Sequence, residues 1–296
     1  MLQLAFITDK NALDPTLLAM WSAIRHAKAP LRVAFLGIGF AAADWARVKA
    51  VAALSDNCTL ASIDFDPTLL KGVASPSGYI SSATFARLYL HRLLSGRVLY
   101  LDGDILVTGD LSPLAYIDLQ GAAIAAVPDY MSQKWISAAR QGGQRRKRKA
   151  QAKLARLREI TAPEDYVNAG VVLMDLDAIT ADPVLAAAME NVEAAAAMPL
   201  ADQDHLNRVF AGRILHLQPQ WNCSWRRLAQ QQANLAASGI TTDPTGADRD
   251  AVVIHYHGRH KPWQKMPLKY VLRFWPLFRE YRRERARMQA DLDARP

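Results

Sequence analysis

The stretch Arg97-Val-Leu-Tyr-Leu-Asp-Gly-Asp-Ile-Leu-Val-Thr108 sets two carboxylates, Asp102 and Asp104, one residue apart at the end of an apolar run. Val98 to Leu101 reads as a buried strand. In an extended segment, residues two apart point to the same side, so both acids can share one divalent cation. Oxygen ligands of this kind suit Mg²⁺ or Mn²⁺, held by one or two carboxylates together with substrate phosphates. Gly103 between them lets the backbone come close to a ligand. A plain strand-to-turn junction accounts for the triplet equally well when it is taken alone.

Working outward, apolar strand patterns alternate with helical ones, which favours an α/β sheet covered by helices. Strands are expected at Leu2 to Thr8, Leu31 to Gly37, Thr59 to Phe65, Val98 to Leu101, Ala122 to Val127, Ala169 to Asp175, Ile214 to Leu217 and Val252 to His257. Helices are expected at Pro15 to Lys28, Ala41 to Leu54, Ala83 to Leu94, Pro183 to Ala197 and Gln203 to Phe210. The first strand runs into Thr8-Asp-Lys-Asn-Ala12, where open α/β sheets bind ligands beyond their carboxyl ends. No Gly-x-Gly-x-x-Gly signature is present.

With 296 residues, 51% of them hydrophobic, the chain can bury one large core or two smaller ones. The start lacks a secretory pattern, and no apolar run is long enough to span a bilayer. Cys58 and Cys223 show no metal-ligand spacing and read as reduced thiols. A cytoplasmic protein is therefore expected. The net charge of +8 resides in two blocks, residues 140–159 and 265–287, and the rest of the chain is net acidic. Such blocks mark solvated surfaces or interaction tails.

Four further segments follow the same order along the chain: Thr84-Phe-Ala-Arg-Leu88, Tyr166-Val-Asn-Ala-Gly-Val-Val-Leu-Met174, Ala201-Asp-Gln-Asp-His-Leu-Asn207 and His255-Tyr-His-Gly-Arg-His-Lys-Pro-Trp263. Together with the acidic triplet they make the chain, from about Leu2 to Trp263, similar to bacterial members of the retaining glycosyltransferase family that contains glycogenin and the lipooligosaccharide galactosyltransferases, glycosyltransferase family 8. The resemblance implies a GT-A fold over residues 1–264, a Mn²⁺ or Mg²⁺ cofactor, a uridine diphosphate sugar carrying galactose or glucose, and a saccharide or lipid-linked saccharide acceptor. It assigns Asp102, Asp104 and His255 to the metal. It places Asp9 and Asn11 on the uracil and ribose, Asp202 on the sugar hydroxyls, and Gln203 on the ring face opposite the leaving diphosphate. Where the family's galactosyltransferases carry a tyrosine stacked on the base, this chain has Ala12.

The residues themselves are compatible with more than one use. Arg87 can fork onto phosphate oxygens or sugar hydroxyls, or lie solvated on its helix. Asp129 can accept from sugar hydroxyls or form a turn after Pro128. Asn168 can both donate to and accept from hydroxyls, and small Ala169 and Gly170 let a sugar ring lie on the backbone. Asp202 is also a plausible N-cap. Gly258 permits close approach to phosphate, and Lys261 can neutralise a departing diphosphate. Of two histidines, His255 is the one the family motif places on the metal, with His257 as its competitor.

The expected reaction is hexosyl transfer with retention, in lipopolysaccharide or other surface-glycan assembly. Electrostatic stabilisation of the leaving diphosphate falls to the cation with Lys261 and Arg87. Gln203 is a poor nucleophile, so front-face attack is preferred over a covalent intermediate of the glycosidase type. Two readings from other classes are a nucleotide-sugar phosphohydrolase and a non-catalytic membrane-associated polyanion-binding module.

The basic insert at 140–165 contains Arg145-Arg-Lys-Arg-Lys149 and a basic helix from Gln151 to Arg158. In the resembling enzymes this stretch is shorter and belongs to the acceptor-side lid. It is expected to meet an anionic acceptor, such as phosphorylated lipopolysaccharide core, or a membrane surface. Nucleic acid is not expected, because no aromatic platform or binding motif accompanies the charge. The tail, residues 265–296, carries Leu268, Val271, Leu272, Trp275, Phe278 and Tyr281 on one helical stripe among Lys and Arg, the composition of a helix at the inner membrane face. Pro276 breaks it into two pieces or starts a second helix, and the same stripe also reads as a C-terminal helix packed on the core with a solvated basic face.

Overall fold

Two apolar octets, Leu2–Asp9 (β1) and Leu31–Ile38 (β2), pair in parallel in register from Leu2 against Leu31 to Asp9 against Ile38. Cys58–Asp64 (β3) extends this sheet beyond β2, and Arg97–Leu101 (β4) joins on the other side of β1. The computed structural model describes residues 1–70, 72 and 82–295. The remaining strands are Ile105–Val107 (β5), Ile124–Pro128 (β6), Val167–Asp175 (β7), Ile214–His216 (β8), Cys223–Ser224 (β9) and Val253–His255 (β10). Seven strands form one sheet in the order β3-β2-β1-β4-β7-β6-β8, in which β7 runs antiparallel to both β4 and β6. A small sheet, β5-β10-β9, sits beside it.

The uninterrupted apolar run in β4 follows from cover on both faces. Leu99 and Leu101 join a core with Leu17, Trp21 and Phe35, while Val98 and Tyr100 join another with Phe85, Val172 and Met174. The eight expected strands all occur, with no end shifted by more than two residues; β5 and β9, three and two residues long, were not expected.

Several elements differ from expectation for local reasons. The stretch Ser82–Tyr89 is a 3₁₀ helix, followed by only four α-helical residues, Leu90–Leu93. In that tighter winding side chains three apart eclipse, which aligns Thr84 with Arg87. The expected helix from Pro183 to Ala197 divides at Asn191, whose side chain accepts from Ala194 N at 2.9 Å and so starts a new helix, Val192–Ala196. The basic helix is longer than expected and covers Gln144–Leu157.

The tail stripe also divides. Leu268–Arg273 forms one helix with no buried residue, and Trp275–Asp293 forms a second, with Pro276 in its first turn. Leu268, Leu272 and Trp275 are 70%, 67% and 45% exposed, whereas Phe278 and Tyr281 are each 3% exposed. The break at Phe274 reorients the chain, and the second helix packs on the helix Leu13–His26, with Trp21 Nε1 donating to Asp291 Oδ2 at 2.9 Å. Leu277, Tyr281 and Met288 belong to the same core as Phe6 and Phe35. A single amphipathic stripe is therefore corrected to an exposed apolar edge and a separate core-packed helix. Among the described residues, no helix is long and apolar enough to cross a membrane.

Candidate active site

The carboxyl end of β4, the amino end of β7 and the end of β10 meet at one cleft of about 520 Å³. Antiparallel pairing of β4 and β7 sets Leu101 opposite Val171 and brings Asp102 N to Gly170 O at 2.8 Å. Pairing of β10 with β5 sets His255 opposite Ile105, immediately after Asp104. Ligand atoms of Asp102, Asp104 and His255 consequently lie within 4.8 Å of one another. His255 Nε2 is 3.1 Å from Asp104 Oδ1 and 3.7 Å from Asp102 Oδ2.

Two glycines make this convergence possible. A Cβ at Gly170 would stand 2.2 Å from His255 Cε1 and 2.8 Å from Asp102 Oδ2. At Gly103 it would stand 2.1 Å from Thr16 Oγ1, so the acidic turn lies directly against the helix Leu13–His26.

Arg87, only 4% exposed, directs its guanidinium into protein groups. Its Nη2 donates to Asp102 Oδ1 at 2.8 Å and to Thr84 Oγ1 at 2.7 Å, and its Nη1 to Ala169 O at 2.6 Å. Nε is 2.8 Å from Asp202 Oδ2. Burial opposes the Arg87 charge, but Asp202, Tyr100 and Asp102 outweigh it and raise the pKa further. Asp202 is not the N-cap of its helix, Ala201–Val209: Leu200 holds that place, and Asp202 turns inward to Thr84 Oγ1 at 2.9 Å. Burial raises the Asp202 pKa, with Arg87 opposing.

Asp104 accepts from the Lys261 ammonium, which also donates to Tyr256 O at 3.1 Å. Burial disfavours the Asp104 charge, yet Lys261 and His255 hold its carboxyl well below the usual range. His257 also lines the cleft, but its Nε2 is engaged 2.6 Å from Ser224 Oγ, and burial drives its pKa down to about 3. The metal-type cluster thus contains His255 and not His257.

A chain of amides continues from His255. Its Nδ1 is 2.9 Å from Asn222 Oδ1, and Asn222 Nδ2 donates to Asn168 Oδ1 at 2.8 Å. Asn168 Nδ2 and Ala169 N donate to Gln203 Oε1 at 3.0 and 3.2 Å. Gln203 Nε2 donates to the Tyr166 hydroxyl at 3.1 Å, and Tyr166 donates to Asp204.

Asp9, Asp129, Ala169, Gly258 and Lys261 line the same cleft, as does Ala12. Asn11 does not; its backbone N donates to Asp9 Oδ1 at 2.8 Å at the exposed rim. Asp129 caps the helix Tyr130–Gln141, accepting from Met131 N and Ser132 N at 2.9 Å. Burial raises its pKa.

With that geometry in view, the model of Glycosyl transferase family 8 matches residues 3–266. The chain belongs to this family. Lipopolysaccharide 1,2-glucosyltransferase of Escherichia coli (strain K12) is 28% identical over 210 residues, 67% of this chain and 54% of that protein. Glycosyltransferase GlyF of Streptococcus pneumoniae serotype 4 (strain ATCC BAA-334 / TIGR4) is 26% identical over 230 residues, 76% of this chain and 48% of that one. The chain spans about half the length of these curated relatives. Galactosyltransferase LgtC, solved in complex with donor and acceptor sugar analogs, superposes with a TM-score of 0.67 at 25% identity over 94% of this chain and 96% of that one. The GT-A fold expected from the sequence is the one observed.

Within this family 8 fold, sequence reasoning missed Asn222, Tyr100 and Asp204 as parts of the site. Tyr100 donates to Asp102 Oδ1 at 2.7 Å, and its place in the apolar run of β4 gave no hint of that. Asn222 sits in Gln220-Trp-Asn-Cys-Ser-Trp225, which carries no recognisable motif.

Proposed function

We propose that the chain transfers a hexose, galactose or glucose, from a uridine diphosphate sugar to a saccharide acceptor with retention, in lipopolysaccharide or other surface-glycan assembly. The observation that carries this reading is the convergence of Asp102, Asp104 and His255 in a cleft that also holds Asp202, Gln203 and Lys261. Two carboxylates and an imidazole suit Mn²⁺, and the oxygens also suit Mg²⁺. Such an ion, when bound, supplies a Lewis acid beside the donor's phosphates. Lys261 adds a second positive charge at the same place, where charge develops on the departing diphosphate. Arg87 holds Asp102 and Asp202 in their orientations, and Asp202, Asp129 and Asn168 meet the sugar hydroxyls.

Gln203 bears on the stereochemistry. Its amide oxygen already accepts two N–H groups, so it is both neutral and committed. That supports attack by the acceptor hydroxyl on the face the diphosphate leaves, its proton passing to a β-phosphate oxygen. Peripheral attachment at the inner membrane face is proposed for the exposed edge Leu268, Leu272 and Trp275, flanked by Lys265, Lys269 and Arg273.

A screen of nucleotide sugars for Mn²⁺-dependent thermal stabilisation tests the donor, because a ligand that binds only the native state raises its stability. Stabilisation by a uridine diphosphate hexose is expected, and an α-linked donor should give an α-linked first product by nuclear magnetic resonance. Metal-independent behaviour, a β-linked product, or acceptor-independent sugar release at full rate would each overturn the reading.

A further inference from the structure

The helix Gln144–Leu157 reaches the cleft at its last residue, Leu157. Its buried positions Ala150, Leu154 and Leu157 pack on the helix Tyr130–Gln141, and Leu157 lines the cleft beside Met131 and Trp135. Arg146, Lys149, Lys153 and Arg156 are exposed and recur at spacings of three and four, so they form one stripe along the helix. Leu157 lies four residues after Lys153 and eleven after Arg146, on the edge of the buried face that borders this stripe. The stripe therefore leads along the helix from the cleft end at Leu157, with Arg156 and Lys153 nearest to the cleft and Arg146 farthest.

Folding gives no reason for them. Among the described residues none of these four forms an ion pair; Arg140 with Glu164 is the nearest pair in sequence. The first helical turn has no acid and carries Arg145, Arg146 and Lys147, opposing the helix dipole. Like charges at these spacings repel. An anion bound along the stripe relieves both penalties.

Besides the cations Arg145 and Arg148, the exposed remainder of this helix is small or polar, Gln144, Gln151, Ala152 and Ala155. It lacks the large apolar side chains with which an interfacial helix enters a membrane, features that the Leu268–Trp275 edge does possess. Half-buried Trp135 and Met131, next to the stripe, instead offer a flat apolar wall to a sugar ring.

Resting on the transfer reading above, we propose that the acceptor is a saccharide bearing phosphate groups, its ring against Trp135 and Leu157 and its phosphates along Arg146, Lys149, Lys153 and Arg156. The probe is a gluco-disaccharide carrying two phosphate monoesters, compared by calorimetry with its phosphatase-treated twin on the full chain. The phosphorylated twin should bind about tenfold more tightly or better, a factor of ten being about 1.4 kcal/mol. That preference should shrink as salt rises and vanish in the combined variant Arg146→Gln, Lys149→Gln, Lys153→Gln, Arg156→Gln. Stabilisation by Mn²⁺ with the nucleotide sugar should be unchanged in that variant, since none of the four residues lines the donor site. Equal binding of the twins, binding of neither, a preference that survives the variant, or equal affinity for inorganic phosphate alone would overturn the proposal. Should the combined variant misfold, the single substitution Lys153→Gln and the salt dependence of the native chain decide in its place. Loss of donor stabilisation in the native chain is a separate failure, that of the transfer reading, and leaves the twin comparison interpretable.

Discussion

Substituting Gly170→Ala should disable the metal site while leaving the fold in place. The added Cβ would meet His255 Cε1 at 2.2 Å and Asp102 Oδ2 at 2.8 Å. Carbon atoms rest about 3.5–4.0 Å apart, so the imidazole must retreat by more than about 1 Å. The strand cannot give way instead, because β7 is paired on both sides, to β4 and to β6. A metal site tolerates ligand displacements of only about 0.2 Å. Losing the positions of two ligands together should therefore exceed the roughly 10–100-fold loss of affinity that follows removal of an outer-shell partner. Overpacking itself costs about 1–3 kcal/mol. At about 2–4 °C per kcal/mol, melting in chelator should fall by several degrees without loss of cooperativity. Mn²⁺ titration by electron paramagnetic resonance reads the affinity, and Gly109→Ala, whose Cβ would stand at an ordinary 3.4 Å from Val252, serves as the tolerated control. Unchanged Mn²⁺ affinity in Gly170→Ala would refute the placement of His255 and Asp102 on one ion.

Asn222→Leu should weaken Mn²⁺ binding by about 10–100-fold, because His255 loses the partner that orients its ring; Asn222→Asp, which keeps an acceptor for Nδ1, should recover part of it, and equal affinities in the two variants would count against this role. For pH, burial lowers the pKa of His205 from 6.5 while its Nε2 donates to Ala188 O at 3.0 Å. The unfolded chain then binds protons below pH 6.5 that the native one refuses, so stability must fall as pH drops through that value, and His205→Gln should flatten this slope in urea titrations at pH 7 and pH 5. An unaltered slope would exclude His205 as its source. Truncation after Pro267 should unfold or strongly destabilise the chain, since it removes Leu277, Phe278 and Tyr281 from the interior. Leu268→Gln with Leu272→Gln and Trp275→Gln should instead leave melting unchanged and reduce sedimentation with acidic vesicles, and vesicle binding that persists would point to a different anchor.

What the sequence made legible follows from how each feature is written into it. The acidic triplet, the Thr84–Arg87 pair and the His255–Lys261 segment are short local patterns whose geometry is fixed by strand ends and one helical turn, and they reappear together in the cleft. The tail was harder to read, because a helical stripe shows which residues share a face and not what covers that face. Phe278 and Tyr281 found the core, while Leu268 and Leu272 did not. Asp202 looked like a helix cap by type and position. A buried arginine 2.8 Å away claims its carboxylate instead, a tertiary contact that no spacing announces.

The amide chain shows why the most consequential part of the site was invisible, and what it accomplishes. Asp204 anchors one end: its carboxylate accepts, taking the Tyr166 hydroxyl and, at 2.8 Å, Leu200 N. Burial holds the Tyr166 pKa well above its ordinary value, so that phenol keeps its proton and donates it to Asp204. Its oxygen must then accept, which fixes the Gln203 NH₂ toward Tyr166 and the Gln203 carbonyl toward Asn168. By the same step Asn168 must present its oxygen to Asn222, and Asn222 its oxygen to His255. His255 Nδ1 consequently donates to Asn222 Oδ1, and Nε2, 3.1 Å from Asp104 Oδ1, is the ring atom that faces the two carboxylates. Backbone amides fix the same polarity at two links, Ala169 N on Gln203 Oε1 and Gly170 N on Asn168 Oδ1, so the chain holds the His255 ring with Nδ1 toward Asn222 and Nε2 toward the metal site. The same chain immobilises Gln203 beside the sugar site. Asn222→Leu should therefore remove the acceptor of His255 Nδ1 and shift that ring ¹⁵N resonance in the metal-free protein, and an unchanged Nδ1 resonance would break this argument.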